Sequence, residues 1–484
     1  MPKPIMSEIV ISRYASFLYL LSSALVIFGS IGIVVYIIFI VPYNRRILFS
    51  FISIIALGLV IHAILEYIRQ SLLSNAYLLS INSMWERKIP EEASETDDID
   101  VQVIGKIKDL HGPIHIRIFD ETPENFRIVR SGNNWYGEIR PSSIVKLSYR
   151  VRPSFGTHYF GALNINVYDN YGLFTVRMHV PLTATIKVLP SIIIDPREIV
   201  LNLSSRIPGG LSLTNRPGIG IEYFATRDYF PGDDYRFIDW RATARLRRIM
   251  VKEFEEEASL YILMLFLITP RMYKGVRGVT KVEVLSRIIS TLSNYLAFRG
   301  DMYSLGYIIV SLQPITRFTG YGRGYGHTYF IRSVLSGIPW GAEFFFRDIS
   351  KEFSLELSRM IRREKTNIII FTDFNDDIMF AENILSILFT FKKLGHDIMV
   401  VIPHTLLYEE EIIKLELLKK RRDDLIEPAL TLHRIYNVER KDLINRIMEL
   451  VRGYGFKVVY TSPRDTVFTI IRELELMRRY YGFG

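Results

Sequence analysis

The chain has 484 residues, 49% of them hydrophobic, a formal net charge of +9 and no cysteine. That length predicts two or three domains, and the missing cysteines exclude disulfides, thiolate metal sites and a cysteine nucleophile. The basic excess is interleaved with acids and carries no nucleic-acid signature, so it points to an anionic membrane face rather than to DNA or RNA.

From Tyr14 to Asn44 no residue is charged, and a second uncharged run extends from Ile47 to Leu65. Each is long enough to cross a bilayer, which takes about 20 apolar residues. The first run has no small-residue cleavage site and another span follows at once, which excludes a signal peptide. Residues 1–90 are therefore expected to form a two-helix transmembrane hairpin with spans near 14–41 and 47–68. A juxtamembrane helix is expected to continue to Lys88, with Trp85 at its interfacial end. Lys3, Arg13, Arg69, Arg87 and Lys88 flank the hairpin, against Arg45 and Arg46 in its turn. The positive-inside rule then puts both termini and the soluble bulk in the cytoplasm, in a multi-pass protein of the cytoplasmic membrane. The single sequon, at Asn202, agrees with that side. His62, inside the second span, is read as a hydrogen-bonding contact between helices.

The acidic stretch after Pro90 reads as a linker. Residues 95–191 carry short alternating or β-branched runs separated by turns such as "SGNN" and "DNYG". That spacing predicts an antiparallel, Ig-like β-sandwich. Residues 192–258 form a charged segment, and 259–484 alternate strand and helix patterns, which predicts an α/β domain with a mostly parallel, Rossmann-like sheet.

The chain holds no phosphate-binding Gly-x4-Gly-Lys-Ser/Thr loop. The Gly-rich stretch Pro208–Gly220 reads as a flexible loop, and "RFTGYGRGYGHTYF" as a solvent loop before a helix, with His327 alone in it. The richest chemistry lies between Arg227 and Glu257, where acids, bases and aromatics crowd together. Pro231-Gly232-Asp233-Asp234 reads as a tight turn. Every acid there has a basic neighbour, which favours ionised, paired carboxylates over catalytic ones with unmatched environments. Trp240 is expected to anchor the cluster. A structural network is the first reading, a docking surface the second and catalysis by Asp233, Asp234 and Asp239 the third.

This stretch resembles the signature of the family called domain of unknown function 58. Glu222, Arg227, Tyr229, Pro231, Gly232, Asp233, Asp234, Arg236, Ile238, Asp239, Trp240, Ala244, Arg245 and Glu253 match its pattern. Asp169, Gly172, Leu173 and Phe174 resemble its end-of-sandwich motif. The resemblance implies a C-terminal domain similar to von Willebrand factor A domains and an association with MoxR-type AAA+ ATPases, with no general enzymatic activity. In such a domain a metal would be held by an Asp-x-Ser-x-Ser motif, but Leu267, Thr269 and Arg271 stand in those places. Thr372 and Asp373 match the later Thr-Asp element only as vestigial candidates, so no metal and no cofactor are expected. The resulting expectation is a membrane-anchored, non-enzymatic scaffold in which Glu222, Arg227, Pro231, Gly232, Asp233, Asp234, Arg236, Asp239, Trp240, Arg245 and Glu253 set a protein-interaction junction. The alternatives are an extracytoplasmic adhesion or surface-assembly module, and an enzyme using Asp233, Asp234 and Asp239.

Overall fold

The computed structural model describes residues 3–39, 45–123, 126–204, 217–255, 260–274, 278, 280–339, 346–362, 364–403 and 425–481. The chain divides into two compact units, Met1–Val188 and Leu189–Gly484.

The first unit begins with a strand, β1 (Ile5–Ile11), that leads into two long helices, α1 (Arg13–Phe39) and α2 (Arg45–Asn82). Both helices are long and apolar enough to cross a membrane, and only 6% of the most apolar window of α2 is buried, leaving a surface suited to lipid. A 38-residue helix extends about 57 Å, well beyond a hydrocarbon core of about 30 Å. The excess is used at the C-terminal end of α2, where Leu72, Ala76 and Leu79 are buried in the core of the β-rich part. Glycines bring the two helices together. A Cβ on Gly58 would lie 2.9 Å from the Ser22 carbonyl oxygen, and one on Gly32 would run into the Phe51 ring. Such small residues let helices touch where lipid offers no hydrophobic drive for association. His62 meets Tyr19 edge-on at 5.4 Å, a packing contact between the helices.

Two segments depart from the sequence reading. The juxtamembrane helix stops at Asn82, and Ser83–Lys88 is a strand, β2. Trp85 is not interfacial: it is fully buried and lies over Gly105, where a Cβ would run into its ring. The stretch after Pro90 is not a linker. It contributes β3 (Glu92–Ser94) and the start of β4 (Ile99–Ile107), and Asp98 and Asp100 pair with Arg152 and Arg150 at 2.8 and 2.7 Å.

The remaining strands are β5 (Ile114–Asp120), β6 (Arg127–Arg130), β7 (Asn134–Ile139), β8 (Ile144–Arg152), β9 (Gly156–Phe160), β10 (Leu163–Tyr168), β11 (Phe174–Val180) and β12 (Ala184–Leu189). They form antiparallel sheets ordered β1-β11-β10-β5-β7, β2-β4-β8-β6 and β3-β12-β9. Alternate residues of β4, β5, β8, β10 and β11 point into one shared apolar core. Inside it the Arg87 guanidinium, almost fully buried, is clamped on Asp120 and donates to the Gly161 carbonyl at 3.0 Å. Tyr149 donates to the same carboxylate at 2.6 Å. Arg87 therefore belongs to the core and not to the membrane flank. Between β10 and β11 the Asp169 carboxylate accepts from the amides of Tyr171 and Phe174 at 2.8 and 2.6 Å, and Gly172 takes φ 68°, which closes the turn.

The second unit opens with α3 (Pro196–Ser204) and a two-stranded antiparallel ribbon, β13 (Pro217–Asp228) and β14 (Met250–Glu255). Residues before Pro217 in the Gly-rich stretch lie outside the described residues. The body of the unit is a six-stranded sheet of β15 (Tyr261–Ile268), β16 (Met302–Ile309), β17 (Ile315–Phe318), β18 (Asn367–Phe371), β19 (Asp397–Val401) and β20 (Lys457–Val459). The order is β17-β16-β15-β18-β19-β20, parallel except for the edge strand β17. Helices α5 (Lys281–Arg299), α6 (Gly324–Ser336) and α10 (Pro463–Tyr481) form one packed group, and α7 (Ser350–Met360), α8 (Ile378–Lys393) and α9 (Ile426–Gly453) another. Two covered faces explain why β15 reads "YILMLFLI" with no polar alternation. Helix α6 begins inside the Gly-rich stretch read as a loop, so His327 is a helix residue, stacked edge-on against Tyr303 at 5.1 Å. The strand order reverses between β15 and β18, the place where open α/β sheets form a crevice at their carboxyl ends.

Candidate functional site

The signature residues form an excursion between β13 and β14. At its base Asp228 pairs with Arg248 at 3.1 Å, and the Tyr229 amide donates to the Ile249 carbonyl at 3.0 Å. Pro231 and Gly232 then occupy the middle of a turn closed by Asp233 N–H to Phe230 O at 3.0 Å. Gly232 has φ 111°, a value other residues rarely adopt, and proline fixes the preceding φ. The Asp233 carboxylate receives both ends of the Arg227 guanidinium, at 2.7 and 2.8 Å, and the Phe230 amide at 2.8 Å. The Arg227 hydrogen bonds, helped by that amide, hold the Asp233 carboxyl down at about 2. Asp234 takes a forked bond from Arg236 at 3.0 and 2.8 Å, which likewise lowers its carboxyl.

Asp239 does something else. It caps α4 (Trp240–Leu246), accepting from the amides of Arg241 and Ala242 at 3.1 Å each. Those helix-end amides, led by that of Ala242, lower its carboxyl. Arg247 ends the helix in the left-handed region at φ 54°. All three acids are thus held ionised by local partners, as the residue pattern implies.

Their burial is not as expected. Neither α4 nor the preceding turn Tyr235–Phe237 contains a buried residue. Trp240 is 69% exposed and so is not a buried anchor; Phe230, Tyr235, Leu246 and Ile249 are also exposed. Arg245, placed in the ion network by sequence, has no partner among the described residues, and neither have Arg241 and Arg247. The reason is local: Asp233, Asp234 and Asp239 each find a partner within six residues of their own position, so those three acids need no distant one. The side chains of Glu222 and Glu253 lie outside the described residues.

A second cluster, which the sequence reading missed except for Thr372, Asp373, Thr269 and Arg271, lies where the strand order reverses. Asp373 follows β18 and is buried; Thr269 follows β15 and donates to its carboxylate. The ammonium of Lys281, also buried, sits on Asp373 and lies 3.6 Å from Asp376 Oδ1. Arg271 and Arg440 approach Asp376 Oδ2 at 3.1 and 3.2 Å. Burial works against the charge on Asp373, but Lys281, with Thr269 and the Asn375 amide, holds its carboxyl below the ordinary range. Thr372 turns its hydroxyl to the Phe374 amide at 3.1 Å. Phe374, Asn375 and Asp376 all have positive φ, between 48° and 55°. Left-handed backbone costs non-glycine residues about 1–2 kcal/mol each, so the turn needs outside support. One sequence signal existed: a lysine at the first position of a helix opposes the helix dipole.

Residues 225–401 match the family model described as Protein of unknown function DUF58. No curated protein matches the chain. Among solved structures, an aerotolerance-related membrane protein from Bacteroides fragilis with multiple mutations to serine aligns at 15% identity and TM-score 0.23, covering 30% of this chain and 67% of that one. The PilB minor pilin from Streptococcus sanguinis aligns at 8% identity and TM-score 0.29, covering 75% of this chain and 87% of its own. A point mutant of the same pilin, with one aspartate changed to alanine, aligns at 8% identity and TM-score 0.30, with coverage of 83% and 80%. Scores this low carry no argument about function. The chain thus joins two N-terminal helices long and apolar enough to cross a membrane to a region, residues 225–401, that matches DUF58.

Proposed function

We propose that the chain is a membrane-anchored, non-enzymatic scaffold that offers the β13–β14 excursion to a protein partner with an acidic face. One observation carries this reading. The acids of the excursion are consumed by their own neighbours, while Trp240, Arg241, Arg245 and Arg247 face solvent. Carboxylates tied down in this way are poor general acids or bases near neutral pH. Exposed tryptophan and arginine are the residue types enriched at interaction hot spots. A MoxR-type AAA+ ATPase is the partner that the family resemblance implies.

The reversed strand order and antiparallel edge strand support a von Willebrand factor A-like reading of the second unit, and the facing antiparallel sheets an Ig-like reading of the first. With Arg87 withdrawn into the core, Lys3, Arg13, Arg69 and Lys88 still outnumber Arg45 and Arg46, which favours soluble units in the cytoplasm of a multi-pass protein. Co-purification from native membranes is the test. The wild-type chain is expected to bring down an AAA+ ATPase, and Trp240→Ala/Arg241→Ala/Arg245→Ala is expected to lose it at least tenfold. Recovery of the same ATPase by both proteins, or by neither, contradicts the reading. Protease added to intact cells is expected to leave the soluble units uncut; their digestion would favour an extracytoplasmic adhesion module.

A further inference from the structure

The cluster at the strand reversal has the composition of a cation site with the cation already present. Asp373, Asp376 and Thr269 offer hard oxygens, the donors that suit magnesium, manganese or calcium. All three are buried, and they gather at the carboxyl ends of β15 and β18, the usual ligand position of an open α/β sheet. Between the two carboxylates lies the Lys281 ammonium, itself only 3% exposed, while Arg271 and Arg440 stand on the outer oxygen of Asp376, Oδ2, at 3.1 and 3.2 Å and leave Oδ1 to Lys281. Its placement is built in. Lys281 is the first residue of α5, and that helix start is fixed by a capping box in which Thr280 and Glu283 bond each other's amides. A cation at this end works against the helix dipole, so the carboxylates, and not the helix, account for it.

We propose that Lys281 is the resident cation of this site. Its ammonium fills the position that a divalent ion would take, so the site is permanently loaded, and removal of the side chain opens it to metal. The ammonium also supports the left-handed turn 374–376, whose Asp376 it reaches from inside the sheet edge. This inference is independent of the docking role of the excursion.

The test uses the full-length chain in detergent and manganese as the probe. Thermal midpoints and bound manganese, read by electron paramagnetic resonance, are compared for wild type, Lys281→Ala and Lys281→Ala/Asp373→Asn. Lys281→Ala is expected to bind about one saturable manganese and to gain a few degrees of thermal midpoint from it. Wild type and the double variant are expected to show neither effect. Manganese binding by wild type that Asp373→Asn abolishes, or a folded Lys281→Ala that binds none, overturns the proposal. Should Lys281→Ala not fold, Lys281→Met/Asp373→Asn decides. Removing one charge of each sign while conserving volume is expected to restore folding, and a melting point no higher than that of Lys281→Met alone overturns the proposal as well.

Discussion

Asp233 shows how much of the excursion is decided by single residues. Its carboxylate closes the Pro231-Gly232 turn through the Phe230 amide and ties the turn to β13 through Arg227. Because its folded value lies near 2 against an ordinary 3.8, the bond is intact above about pH 4 and is lost as pH falls through 2. Carbon-13 titration of the Asp233 carboxyl is expected to give a midpoint near 2 in wild type and one near the ordinary value in Arg227→Ala. A wild-type midpoint near 4 would contradict the pairing. At this scale the sequence was readable where partners are neighbours: Arg227 with Asp233, Arg236 with Asp234. Asp239 could also have been read as a cap, since it stands directly before a helical "WRATARL". Lys281 left only a faint sign, a lysine at a helix start where the dipole disfavours it. Its partner Asp373 lies 92 residues away, so the pairing itself could not be read locally.

Elements were legible where their periodicity ran long. The two uncharged runs became α1 and α2, and "YSLGYIIVSL" pairs with "ITRFTG" as β16 and β17. Short segments failed where two periods fit the same residues. "SMWERK" continues a helical pattern, yet it alternates Ser83 and Trp85 inward as an edge strand of the β2–β4 pair. Strand β1 gave no signal because most of it is exposed and only its pairing with β11 defines it. Within the hairpin, Gly58 makes the tightest approach to backbone of the neighbouring helix. Gly58→Leu forces α1 and α2 apart and is expected to cost about 1–3 kcal/mol, the usual toll of overpacking. Thermal unfolding of the full chain in detergent, followed by circular dichroism, checks this, and a midpoint equal to that of wild type would mean the helices do not pack along these glycines.

At the scale of the whole molecule, the strand reversal and the excursion both combine charge with irregular backbone, and they differ in kind. The strand reversal of the second unit is buried and internally neutralised, so what it contributes is a fixed turn. The excursion between β13 and β14 has no buried residue in α4 or in the Tyr235–Phe237 turn, and its acids are spent while Trp240, Arg241, Arg245 and Arg247 face solvent. Composition pointed to the excursion, but burial could not be read from it: a run of alternating charges looks alike whether it stitches a core or stands in water. The α/β and β-rich parts were visible from pattern, whereas the strand reversal that gathers Thr269, Lys281 and Asp373 is a property of topology. Whether the excursion meets a partner protein can be read with a photo-reactive phenylalanine in place of Trp240, irradiated in native cells. One discrete adduct with an AAA+ ATPase is expected, absent when Arg241 and Arg245 are alanine; adducts with lipid alone, or none at all, would mean that the excursion docks no protein.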